Sequence, residues 1–189
     1  MCIRDSRYSG APVPTLFALD SSDRVLSVES FSKVVAPGLR LGWVTAHPQL
    51  IAAMAAVRDD LGASQWMSQL MAAYLEEGLL DPHIQTVVSL YRDKRNAAVT
   101  ALEKHCGDSV RFRTPEGGIY LWLKLDDSID GVAVKEAARR RGIACRPGER
   151  FFGDGANGAQ HLRLSFIMVP VEVIPTGVAV LGDAIASAK

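Results

Sequence analysis

Residues 29–44 read ESFSKVVAPGLRLGWV, and two kinds of side chain in that stretch could act together. Lys33 follows Ser32, with Ser30 just before, and Arg40 comes seven residues later in a Pro-Gly-Leu-Arg-Leu-Gly turn. Hydroxyls make short hydrogen bonds to a phosphate, and a guanidinium fork matches phosphate oxygens two at a time. An amine held out of water beside cationic groups is freed as a nucleophile and can condense with an aldehyde. A small ligand carrying both an aldehyde and a phosphate is pyridoxal 5'-phosphate. The same residues also fit a loop whose charges face water, where most lysines and arginines are found.

Arg163, in HLRLSF at 161–166, is a second candidate. On a strand it points away from the face carrying Leu162, Leu164 and Phe166. From there it could take a carboxylate by a two-pronged bond. A solvated strand arginine is the competing reading. In EGGIYLW, Gly118 and Tyr120 fit a cleft edge and an ordinary hairpin turn equally well, and neither is counted as a site residue. FFGDGANG is rich in glycine but lacks the GK[ST] of a phosphate loop and leads into no helix, so it reads as a connection. His47, His83, His105 and His161 have no metal-ligand spacing, and no metal site is expected.

The elements that must hold these residues follow from periodicity. VLSVE (25–29) and GWVTA (42–46) read as short strands on either side of the lysine loop. Leu50, Ile51, Met54, Val57 and Leu61 recur at helical spacing, and Met67, Leu70, Met71, Tyr74 and Leu75 predict a second helix closed by Gly78. Asp81 as N-cap and Pro82 at the first helical position open a long helix that ends at Lys104, His105 and Gly107. The period then becomes two: Val110 and Phe112, then Ile119, Leu121, Leu123 and Leu125, alternate with polar or aromatic residues. A short helix over 131–141, strands at 143–145 and 161–166, and a final helix through Ile174, Val178, Leu181 and Ile185 complete the pattern. Pro175 fits that last helix only if the helix starts late or kinks there. The first 46 residues carry no helical pattern and look like part of a larger α/β sheet covered on both faces.

Bulk properties exclude several classes. The 189 residues are 48% hydrophobic and 22% charged, as in ordinary globular proteins. A formal net charge of zero gives no general field for nucleic acid or an anionic membrane. No apolar run approaches a membrane span, and MCIRDS lacks the apolar core of a signal peptide. Cys2, Cys106 and Cys145 are too scattered for a disulfide framework and read as thiols in a reducing compartment. A cytoplasmic location is expected, with no nucleic-acid or membrane partner.

SFSKVVAPGLRLGW resembles the cofactor-lysine motif of the class I/II aminotransferases, fold type I of the pyridoxal-phosphate enzymes. Within them it is most similar to the group with 2-aminoadipate and kynurenine-type aminotransferases. RYSGAPVPTLFALD, TPEGGIYLWLKL, RPGERFFGDG and HLRLSF extend the resemblance over residues 7–187. It implies an α/β fold: the C-terminal part of a large cofactor-binding domain over 1–80, then a small α+β C-terminal domain over 81–189 introduced by the long helix. By the same resemblance Lys33 is the Schiff-base lysine, and the acid and base that moves the proton between Cα and the cofactor's C4' carbon. Arg40 holds the cofactor phosphate, Ser30 contacts it, and Ser32 is a candidate second contact. Arg163 binds the substrate α-carboxylate. The implied reaction passes an amino group from an amino acid to a 2-oxo acid in a homodimer.

The pattern breaks at residue 6. Relatives carry upstream an aspartate for the pyridine nitrogen, a tyrosine for the ring oxygen and a stacking aromatic. MCIRDS matches none of these, and Tyr8 matches a later position. The chain is therefore expected to be the C-terminal half of a longer enzyme, with residues 1–6 non-native and with little activity alone. Two alternatives share the lysine motif: a lyase or decarboxylase on the same fold, and the aminotransferase-like sensing domain of a MocR-type transcription regulator.

Overall fold

The computed structural model describes residues 6–60, 62–153 and 158–188. MCIRDS up to Asp5, Leu61 and the middle of the glycine-rich loop, 154–157, lie outside them. The chain divides into two compact units, 1–89 and 90–189.

In the first unit, strands β1 (Ser27–Ser30) and β2 (Gly42–Thr45) pair with each other in antiparallel fashion, with Ser30 opposite Gly42. The described strands of this unit form this one two-stranded antiparallel pair. Gly42 is required at its place, because a Cβ there would come 2.6 Å from the Glu29 carbonyl oxygen. The Phe31 and Trp43 rings, 4.5 Å apart, pack just beyond that end of the pair.

A one-turn helix, α1 (Leu16–Leu19), corrects the helix-free reading of the first 46 residues. It has no apolar periodicity; the Thr15 hydroxyl caps it by accepting from the Ala18 N–H at 2.9 Å. Asp20 ends it and organises the next turn, accepting from the Ser22, Arg24 and Val25 amides, each at 2.9 Å, and from the Ser22 hydroxyl at 2.6 Å. Those bonds, the Ser22 hydroxyl foremost, hold its carboxyl at about 2, below the ordinary value.

Helix α2 (Pro48–Ala56) starts with Pro48 and a His47 cap, and stops earlier than its apolar spacing predicts: Val57 is its C-cap and is 82% exposed. Helix α3 (Gln65–Glu76) is capped by Ser64, and Gly78 follows it with φ 68°. The long helix α4 (Leu80–Cys106) begins one residue before the expected Asp81 cap, so that Asp81 lies inside its first turn. An acidic side chain in that turn still suits the helix dipole.

The second unit is built on a four-stranded antiparallel sheet in the order β3 (Val110–Phe112), β4 (Tyr120–Leu125), β6 (His161–Ser165), β5 (Arg146–Pro147). The period-two pattern decides its faces. Val110, Leu121, Leu123, Leu125, Leu162 and Leu164 are buried on one side. They form one core with Ala98, Ala101 and Leu102 of α4, Val134, Ala137 and Ala138 of α5 (Gly131–Arg140), and Val178, Leu181 and Ile185 of α6 (Ile174–Ala186). Burying each leucine fully contributes about 2 kcal/mol. At Gly182 of α6 a Cβ would lie 2.6 Å from the His105 carbonyl oxygen, so glycine lets this helix approach the end of α4.

One expectation changes in this unit, and one is met. Residues 143–145 form no strand; the edge strand is Arg146–Pro147. The Ile143 amide is used instead to close α5, donating to the Ala138 carbonyl at 2.9 Å behind Gly142 at φ 83°. Pro175 is no interruption, since α6 begins at Ile174 and the proline occupies its first turn. Two polar ties fasten α4: buried Lys94 donates from Nζ to the Ile167 carbonyl at 2.8 Å, and Arg95 from Nη1 to the Pro115 carbonyl at 2.7 Å.

Candidate active site

The connection between β1 and β2 carries Ser30, Ser32, Lys33 and Arg40. Its ends are drawn together by the strand pairing and by the Phe31 amide, which donates to the Leu41 carbonyl at 3.2 Å. The Ser30 hydroxyl stands 2.9 Å from the Ser32 hydroxyl and 3.2 Å from the Leu41 carbonyl, one hydrogen serving the two acceptors. It also accepts from the Ser32 amide at 3.1 Å. The two serines are thus one hydroxyl pair at the mouth of the loop.

Lys33 follows in a tight turn, fixed where the Val35 and Ala36 amides both donate to the Phe31 carbonyl, at 2.8 and 3.2 Å. Its side chain is half-buried, and its neighbour Val34 is buried. Beyond the short 3-10 turn at Pro37–Leu39, Arg40 adopts a left-handed backbone, φ 51° and ψ 32°. Its guanidinium is exposed, and Nη1 donates to the Pro37 carbonyl at 3.2 Å. A guanidinium has five N–H donors, so that bond leaves most of them for an anion.

Arg163 belongs to the second unit, on β6, paired in register with Trp122 of β4 and Arg146 of β5. As expected from alternation, it faces away from buried Leu162, Leu164 and Phe166. Its guanidinium carbon lies 4.1 Å from the centre of the Tyr120 ring and 4.5 Å from that of Phe151. Ring contacts of this kind use the face of a guanidinium, while its donors lie in the plane. Trp122, His161 and Phe152 extend the aromatic surface: Trp122 stacks on His161 at 5.3 Å and meets Phe151 edge-on at 5.4 Å. Sequence reasoning set Tyr120 aside and missed Phe151; the alternation of Tyr120 and the Phe-Phe pair after RPGER were the available signals.

Over residues 5–177 the sequence matches the family model for aminotransferase class I and II. The chain belongs to this family. Among curated proteins it is similar to aromatic-amino-acid aminotransferase 1 of Thermococcus litoralis, 37% identical over 181 residues. That match covers 95% of this chain and 43% of the relative. Two solved aminotransferases share its fold. The kynurenine aminotransferase of Pyrococcus horikoshii superposes with a TM-score of 0.91 at 33% identity, covering 97% of this chain and 46% of that one. The α-aminoadipate aminotransferase of Thermus thermophilus, complexed with N-(5'-phosphopyridoxyl)-L-leucine, gives 0.88 at 31% identity, covering 98% and 48%. The chain thus spans less than half the length of these aminotransferases.

The resemblance to fold type I aminotransferases, and to the aminoadipate and kynurenine group, is borne out, and the family's cofactor is pyridoxal 5'-phosphate. Elsewhere in the aminotransferase chain, Cys106 and Cys145 are buried, free thiols, pushed up to about 11 by burial. Cys2 lies outside the described residues. Among the described residues, no group of three or more histidines, cysteines or acids is placed to hold a metal, and no helix is long and apolar enough to cross a membrane.

Proposed function

We propose that the chain is the C-terminal half of a pyridoxal-phosphate aminotransferase that moves an amino group from an amino acid to a 2-oxo acid. The observation that carries this reading is the β1–β2 loop, in which a half-buried lysine lies between a hydroxyl pair and an arginine with most of its donors to spare. That donor set fits a phosphorylated aldehyde. Ser30, Ser32 and Arg40 hold the phosphate, and Lys33 holds the aldehyde carbon. When bound, the cofactor withdraws electrons from the substrate Cα and so makes its proton removable. Lys33 takes that proton and returns it as general base and acid. Arg163 receives the α-carboxylate through its in-plane donors, with Tyr120 and Phe151 fixing the guanidinium.

The aminotransferase relatives support this reading over a lyase, a decarboxylase or a regulator's sensing domain. Residues 1–80 are assigned to the cofactor-domain portion and 81–189 to the small domain with its connecting helix; the two compact units divide within that helix, at 89/90. The full enzyme is a cytoplasmic homodimer, and the 189-residue chain alone turns over poorly, because it lacks the family's ring-facing aspartate and stacking aromatic. Recovery of the upstream genomic sequence tests the half-enzyme reading, and an in-frame stop directly before Met1 rejects it. The loop assignment is tested by titrating pyridoxal 5'-phosphate into the protein and following visible absorbance. Lys33→Ala abolishes the absorbance of attached cofactor; an unchanged band rejects Lys33.

A further inference from the structure

The polar face of the four-stranded sheet carries a second concavity that the aminotransferase reading does not use. It is a groove of about 400 Å³ lined by Arg111, Phe112, Arg113, Trp122 and Lys124. We propose that this groove binds a phosphorylated, planar aromatic compound of the nucleoside diphosphate class.

Charge and register carry the argument. Arg111 of β3 lies directly opposite Lys124 of β4. Like charges facing each other across an antiparallel pair repel, and an anion seated between them removes the repulsion. Arg113, just past the end of β3, lines the same groove and adds a third cation, and no carboxylate lines it. Asp127, itself well exposed, lies 3.2 Å from Lys124 Nζ at the edge of the strand. Among the described residues neither Arg111 nor Arg113 forms an ion pair. Two guanidinium forks and an ammonium provide for more than one phosphate.

The rings supply the other half of the ligand. Trp122 is restrained by ring contacts: it stacks on His161, with an interplanar angle of 21°, and meets Phe151 at 89°. A fixed indole beside cations favours a base that can stack, worth about 1–3 kcal/mol per base in single-strand binders. Neither Arg163 nor any residue of the lysine loop lines it.

Calorimetric titration of the full chain with ADP, inorganic pyrophosphate and adenosine tests the proposal. ADP is expected to bind most tightly, pyrophosphate more weakly and adenosine not at all. Arg111→Ser with Arg113→Ser should weaken ADP at least about tenfold, as should raising salt from about 20 to 200 mM. Trp122→Leu should bring ADP down to the affinity of pyrophosphate. Lys33→Ala, which disables the proposed cofactor attachment, should leave ADP binding intact. Both arginines are exposed, so circular dichroism of the double variant should match that of the parent. The proposal is overturned if ADP shows no saturation below about 1 mM, if the double arginine variant binds it normally, if pyrophosphate equals ADP in the parent chain, or if Lys33→Ala abolishes binding.

Discussion

Arg163 and Tyr120 sit on neighbouring strands with the guanidinium carbon 4.1 Å from the centre of the tyrosine ring, and Phe151 adds a second ring at 4.5 Å. If Arg163 receives the substrate carboxylate, these rings set its aim. Tyr120→Leu in the full-length enzyme is expected to raise KM for the amino acid about fivefold, the equivalent of about 1 kcal/mol of cation–π support. Steady-state kinetics check this, and Phe151→Leu should act in the same direction. An unchanged KM in both variants would show that the rings do not orient the arginine.

Asp20 gives a pH prediction whose sign follows from its bonds. Its carboxyl is held at about 2, below the model-peptide value of 3.8, mainly by the Ser22 hydroxyl and the Val25 and Ser22 amides. The ionised form therefore stabilises the fold fully above pH ~4, and this contribution disappears as pH falls from about 4 to about 2. Asp20→Ala should lower the urea midpoint at pH 6, with the difference from the parent shrinking towards pH 2. An equal difference at both pH values would contradict the assignment.

Gly182 tests the packing of α6. Alanine there would place its Cβ 2.6 Å from the His105 carbonyl oxygen, on backbone that cannot swing aside. Overpacking of this kind costs about 1–3 kcal/mol. Thermal denaturation of Gly182→Ala should show a clear drop in Tm, whereas Gly153→Ala, with open space around it, should not.

The two buried thiols should be chemically silent in the native state. With Cys106 and Cys145 both pushed up to about 11, little thiolate is present at pH 8. Mass mapping after brief alkylation should find both unmodified until urea is added. Rapid native labelling of either would mean that the core of the second unit opens readily.

Much of the second unit could be read from sequence because its core repeats. Leu121, Leu123 and Leu125 keep period two long enough to define a strand and its inner face, and α4 is long enough to declare itself. Elements decided by single contacts could not be read. Helix α1 rests on one Thr15 cap, and the edge strand is too short to show a period. Ile143 and its neighbours have the composition of a strand, but the Ile143 amide closes a helix. In the candidate site, Ser30, Ser32, Lys33 and Arg40 could be proposed as a group because they fall within one short stretch of sequence. The rings around Arg163 were not, since they come from β4 and from a turn far along the chain.

The first unit is thinly packed. Among its described residues the buried hydrophobic side chains are Tyr8, Val34, Leu41 and Met71, while Leu16 is 77% exposed and Trp66 73%. Apolar surface of this extent promotes association. The purified 189-residue chain should bind a hydrophobic dye strongly and scatter light as its concentration rises. A monodisperse, dye-silent chain would refute this.

Arg40 holds a backbone conformation that a side chain with a Cβ adopts only at some strain, and glycine or asparagine would sit there with less. Exchanging it for glycine should make the loop more heat-resistant and, if Arg40 holds the phosphate as proposed, weaken that hold. Directed evolution for thermal tolerance alone would then be drawn to this position, and would erode the proposed cofactor site while improving the scaffold.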